Sequence, residues 1–204
     1  MEAFTRLDAI AVPLARPNID TDQIIPARFL QKPRKDNFGH YLFRDARFRV
    51  DGSLIEEFIL NRPAFREARI VVAAKNFGCG SSREHAVWAL TDYGFQAVIS
   101  SRFGDIFRNN ATKTGLVPVV VSQEFADKLM RAVEADPSLV IEIDVAERWI
   151  AAPTIGLESS FPLDDFTRTR LVEGLDDIGL TLRHEDKIAA YEAQRPSWMP
   201  QIAA

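Results

Sequence analysis

Arg69-Ile70-Val71-Val72-Ala73-Ala74 runs through Lys75 into Asn76-Phe77-Gly78-Cys79-Gly80-Ser81-Ser82-Arg83-Glu84-His85, and this stretch decides the reading of the fold. Its first part is a short, continuous apolar run with β-branched residues, the pattern of a strand covered on both faces. Glycines follow. From Glu84 the composition turns helical, with Ala86, Leu90 and Tyr93 at helical spacing and Gly94 closing the run. The unit is strand, glycine-rich loop, helix. Such a loop lets backbone come close to a ligand, while the helix start offers unpaired N–H groups and a partial positive charge. Arg83 adds a permanently charged, planar fork suited to a carboxylate or phosphate, and Ser81 and Ser82 supply hydroxyls at the same spot.

The same residues admit a plainer reading. Ser81 followed three residues later by Glu84 has the form of a capping box, which only satisfies helix-end donors. Pattern alone leaves both readings open. A serine-hydrolase elbow needs Gly-x-Ser-x-Gly, whereas Ser81 is followed by Ser82 and Arg83. A Walker A loop needs a Lys-Ser/Thr pair after its last glycine, and that pair is absent after Gly80.

Outward from this segment, strand and helix alternate. Ala9 to Leu14 reads as a first strand, with Pro13 pointing to an edge or a strand end. Residues 16–22 form a turn-rich loop that enters a short amphipathic helical segment over 23–30. Gln31 to Tyr41, basic at Lys32, Arg34 and Lys35 and aromatic at its end, reads as a mobile surface loop. Strands follow at 97–100 and 116–121, helices at 103–112 and 124–135, and a late hairpin joins 139–144 to 149–151. Helices over 162–173 and 185–194 close the chain. The expected fold is one α/β domain over residues 1–204, with a mixed sheet and a helical C-terminus.

Composition limits the function. Net charge is −4 with acids and bases interspersed, so no basic field exists to hold nucleic acid or an anionic membrane. No apolar run approaches the roughly 20 residues needed to span a bilayer, and the start of the chain lacks a signal-peptide pattern, so a cytoplasmic protein is expected. One cysteine, Cys79, allows no internal disulfide and cannot supply the thiolates of an iron–sulfur cluster. His40, His85 and His184 show no zinc spacing, so this chain is expected to bind no metal by itself, and any metal chemistry has to be completed by another chain.

Gly78 to His85 resembles the signature of the swivelling domain of the aconitase superfamily. Asn18 to Pro26, Trp88 to Phe95 and Gly174 to Leu182 extend the likeness, and together these motifs look like the bacterial isopropylmalate isomerase small-subunit family from end to end. The length fits a stand-alone swivelling subunit. The resemblance implies an aconitase-like swivelling domain and a hydro-lyase that interconverts 2- and 3-isopropylmalate by dehydration and rehydration in leucine biosynthesis. It implies a partner as well: a large subunit that carries a 4Fe-4S cluster, with a small dicarboxylate as substrate. By the same likeness Ser81 is the base, acting as an alkoxide, and Ser82 and Arg83 bind substrate carboxylates. The loop from Leu30 to Leu42 would reach the substrate's side chain, with Leu30, Phe38 or Tyr41 meeting the isopropyl group. Asp20 and Asp22 are secondary candidates that otherwise read as turn caps. Glu84 and His85 read as structural support, and Cys79, where aconitase carries glutamate, as buried inert packing. Small subunits of homoaconitase or citraconate hydratase, and an anion-binding module without catalysis, remain as alternatives.

Overall fold

β-branched and aliphatic runs build the parallel half of one sheet: β1 (Arg6–Leu14), β2 (Ile70–Ala73), β3 (Ala97–Ser100) and β4 (Val117–Val120). The computed structural model describes residues 1–33, 37–196 and 198. An antiparallel half follows, made of β5 (Val140–Asp144), β6 (Trp149–Ala152) and β7 (Leu157–Ser160). The strand order of the 7-stranded sheet is β4-β3-β2-β1-β5-β6-β7. Every residue of β2 and β3 is buried, as expected of parallel strands covered on both faces, whereas β5 alternates between buried and more open positions.

β1 joins the halves by changing partner along its length. Arg6 to Ile10 pair antiparallel with β5, and Ala11 to Leu14 pair parallel with β2. Pro13 therefore sits in a central strand and not at an edge of the sheet. Ile10 and Leu14 turn their carbonyls to β2, accepting from Arg69 at 3.2 Å and Ala74 at 3.0 Å. The alternate residue Pro13 faces the other side, where β5 has already ended, so its missing N–H breaks no ladder bond.

α3 (Glu84–Tyr93) and α4 (Asp105–Thr114) connect the parallel strands and pack on each other. α5 (Gln123–Ala135) lies across β1, β2 and β3, burying Phe125, Leu129 and Val133 at helical spacing. α6 (Asp165–Glu173) starts later than the position of Pro162 suggested, because Asp164 is its cap, accepting from Thr167 N at 2.9 Å. Beyond the expected elements lie β7 and α7 (Asp177–Leu182). Neither α7 nor α8 (Glu185–Ala193) buries a residue, although Arg170, itself buried, reaches Asp177 at 2.9 Å.

The surface-loop reading of 31–41 fails at its aromatic end, where Phe38–Tyr41 forms a 3₁₀ turn and Phe38 is wholly buried. Gly39 lies so close to α3 that a Cβ there would stand 2.7 Å from the Asp92 carbonyl oxygen. Arg34 and Lys35, two of the three basic residues of that loop, lie outside the described residues.

Candidate active site

At the C-terminal ends of β1, β2 and β3, the connecting loops continue the sheet as a backbone-bonded layer. Asn18 N donates to Lys75 O at 3.0 Å, Gly78 N to Ile19 O at 2.8 Å and Thr21 N to Cys79 O at 3.0 Å. Asn76 N donates to Arg102 O and Gly104 N to Phe77 O, both at 2.9 Å. The ends of parallel strands are where open α/β sheets carry their ligands. Gly78 makes the layer possible. Its φ is +70°, and a Cβ would collide with Phe107 Cγ at 2.3 Å.

The turn that follows is held from one side by α1 (Thr21–Ile24) and the residue after it. Thr21, buried, donates its hydroxyl to the Ser81 carbonyl at 2.8 Å. Arg83 Nη1 contacts the Asp22 carboxylate and lies 3.4 Å from Ile25 O. Asp20 caps α1, accepting from Gln23 N at 2.7 Å and Gln23 Nε2 at 3.1 Å, as its turn reading anticipated. Thus Asp20, Asp22, Ser81, Ser82 and Arg83 are brought into one neighbourhood. Cys79 is half-buried there, not fully buried.

The capping-box reading is overturned. The N-cap of α3 is Arg83, no side chain caps the helix, and Glu84 is its first residue. Among the described residues, Ser81 contributes only its carbonyl to a hydrogen bond, and both serines are exposed. Among the described residues, the consecutive N–H groups of Ser81 through His85 donate to no protein acceptor. Open donors, a positive helix end, exposed hydroxyls and the Arg83 guanidinium, itself against Asp22, thus lie on adjacent residues, an arrangement that favours an anion.

The proposed side-chain pocket lies beside it and is less open than the sequence suggested. Phe29 and Tyr41 stack at 4.3 Å between ring centroids. Phe38 meets Tyr41 and Trp88 edge-on, both at 5.7 Å, and His85 packs on Trp88 at 4.5 Å. Phe38 is therefore the interior of an aromatic cluster on α3, with half-buried Tyr41 and Leu30 outside it. His85 is a packing partner in this cluster.

Two contributors escaped sequence reading. Thr21 shows no signal beyond its place between two aspartates. Arg47 in α2 (Arg44–Arg47) ties the 38–42 segment together, donating to Gly39 O and Leu42 O at 3.2 Å and to Asn61 Oδ1 at 3.3 Å. Its guanidinium also stands 4.7 Å from the Tyr93 ring, and burial lowers its pKa below the ordinary arginine value. An arginine amid ordinary surface composition gives no sign of this.

Residues 1–124 match the family model of the aconitase C-terminal domain, and residues 177–202 match that of the C-terminal domain of the 3-isopropylmalate dehydratase small subunit. A protein of Frankia casuarinae named 3-isopropylmalate dehydratase small subunit is 54% identical over 203 residues, covering 100% of both chains. One of the same name from Brevibacillus brevis is 48% identical, covering 96% of this chain and 100% of its own. The chain belongs to the 3-isopropylmalate dehydratase small-subunit family. Its fold is that of the crystal structure of a 3-isopropylmalate dehydratase from Methanocaldococcus jannaschii, with a TM-score of 0.64 at 23% identity over 91% of this chain and 99% of that one. The second of the two family models falls on the segment that holds α7 and α8.

Proposed function

We propose that this chain is the half of a 3-isopropylmalate dehydratase that holds the substrate's carboxylate and moves its proton. The reading rests on membership of the small-subunit family and on one observation, the uncapped start of α3 beside Ser81, Ser82 and Arg83. Ser81 Oγ takes the carbon-bound proton on dehydration and returns a proton on rehydration in the other regiochemistry, so that 2- and 3-isopropylmalate interconvert in leucine biosynthesis. A serine hydroxyl is too weak an acid to ionise unaided. Fixed N–H dipoles and the helix end stabilise its oxyanion. Ser82 and Arg83 hold a carboxylate, with Arg83 exchanging the Asp22 carboxylate for the substrate's. Leu30 and Tyr41 offer apolar surface to the isopropyl group, with Phe38 behind them.

The family's 4Fe-4S cluster does not fit this chain alone, which has a single cysteine and, among the described residues, no grouping of metal-binding side chains. The cluster belongs to a large subunit, where it would bind the leaving hydroxyl as a Lewis acid. The cytoplasm is the proposed compartment; no helix among the described residues is long and apolar enough to cross a membrane.

The test is reconstitution with a cluster-bearing large subunit and assay against isopropylmalate, homoaconitate and citraconate. Turnover of isopropylmalate well above the other two is expected, with neither iron nor activity in the isolated chain. Preference for homoaconitate or citraconate would move the assignment to that hydro-lyase. Isomerase activity from this chain alone would overturn the division of labour.

A further inference from the structure

We infer that Thr21 is the positioning residue for Ser81, its buried hydroxyl setting the plane of the peptide that carries the proposed base. This rests on the assignment of Ser81 as that base. Thr21 is 1% exposed, and its Oγ1 donates to the Ser81 carbonyl oxygen at 2.8 Å. Its own N–H donates to Cys79 O at 3.0 Å, so a single residue grips the turn on both sides of Gly80. Between Gly80 and Arg83, which is tied to Asp22, little else restrains it. Gly80 has φ +93°, Ser81 and Ser82 are exposed, and neither serine hydroxyl bonds to protein among the described residues.

The consequence follows from peptide geometry. A trans peptide is planar, with its C=O and N–H pointing in opposite directions. Tying the Ser81 carbonyl inward to Thr21 therefore aims the Ser82 N–H outward, on the side of the open donors at the start of α3. That N–H is one of the dipoles available to stabilise a Ser81 oxyanion. Without the tie, the peptide plane can turn about the Ser81 Cα–C and Ser82 N–Cα bonds and swing the N–H away, while the freedom of Gly80 lets Ser81 and its Oγ shift. Such misalignment weakens proton transfer far more than it weakens substrate binding, because binding is shared with Arg83 and the remaining N–H groups. Thr21 is also the first residue of α1, which carries Asp22 against Arg83, so the turn and the guanidinium are referred to one short element.

The test uses Thr21→Val, nearly isosteric but unable to donate, and Thr21→Ser, which keeps the hydroxyl, in the reconstituted two-subunit enzyme. Thr21→Val should lower kcat by roughly 10- to 100-fold with KM within about 2-fold, and should move the limb of the pH–rate profile that reports ionisation of the base to higher pH. Thr21→Ser should recover most of kcat. The decisive measurement is a cycle with Ser81→Ala: if Thr21 acts through Ser81, Thr21→Val should add nothing to the loss already caused by Ser81→Ala. Full kcat in Thr21→Val, or equal losses with and without Ser81, would overturn the inference while leaving the base assignment standing. Undiminished turnover in Ser81→Ala would overturn the base assignment itself. If Thr21→Val fails to assemble with the large subunit, the kcat and pH profile of the Thr21→Ser and Thr21→Ala variants carry the same comparison, and wild-type values in Thr21→Ala would refute it.

Discussion

Helices α3 and α5 each follow a strand of the parallel half with serine ahead of their first turn, yet they begin in opposite ways. Ser122 caps α5 by accepting from Phe125 N at 3.1 Å, and aspartates do the same for α6 and α7. Ser81 stands two residues before the N-cap of α3 and caps nothing. A side-chain cap ties down one of the free donors at the helix start and raises its stability. The start of α3 leaves those donors to solvent or to a ligand, and the turn is held instead from behind, through its carbonyls and Arg83. The difference separates a serine that stabilises the fold from one free to take part in chemistry.

Substitutions can break that contrast in either direction. Ser81→Ala should reduce turnover of the reconstituted enzyme by about 10³-fold. Its thermal midpoint and its affinity for the large subunit should not change, since the side chain holds no structural bond. A fall in stability comparable to that of a lost cap would make Ser81 another Ser122. Gly78→Ala should cost about 3 kcal/mol in a denaturant titration, because a Cβ at φ +70° would overlap the Phe107 ring. Here the loop layer behind the open helix start would be lost together with the activity. Arg83→Lys should raise KM for isopropylmalate by roughly 10-fold, because the ammonium keeps the charge but not the planar fork. An unchanged KM would mean that the guanidinium serves Asp22 alone.

At the closed helix starts the expected effects are smaller and fall on stability. Ser122→Ala should cost about 1 kcal/mol of stability and leave turnover as it was. Asp164 provides a pH test of the same kind. The Thr167 backbone N–H, and then its hydroxyl, hold the Asp164 carboxyl below its ordinary pKa. With the folded value depressed, its contribution is present above the unfolded carboxylate pKa and fades as pH falls through the folded one. Thermal midpoints of wild type and Asp164→Asn should therefore converge towards acidic pH. The gap is small in any case, since the group is exposed to solvent and salt.

The sheet was legible where burial was one-dimensional. Val71, Val72, Val98 and Ile99 sit in continuous apolar runs, and continuous burial needs no knowledge of neighbours. Pro13 marked a strand end, since β1 stops at Leu14, but not an edge, because the rule against proline in central strands assumes a partner on both sides along the whole strand and β5 stops at the register of Ile10. Phe38 misled because local polarity over 31–37 hides a ring that α3 buries from a distance in sequence. The capping box misled for a related reason: Ser-x-x-Glu states which bonds are possible, while a turn fixed by Thr21 decides which are made.

By itself, the sequence determined the α/β alternation, the strand–loop–helix unit with its open glycine turn, and that a single cysteine cannot supply the thiolates of an iron–sulfur cluster. Those follow from local periodicity, from backbone freedom at glycine and from a count of cysteines. Only the tertiary structure decided that α3 starts without a side-chain cap, that Asp22 stands against Arg83, that Phe38 is interior and that Thr21 holds the Ser81 carbonyl. Each of these depends on segments brought together by the fold from tens of residues apart, as Thr21 with Ser81 and Asp22 with Arg83, and local pattern carries no information about such meetings.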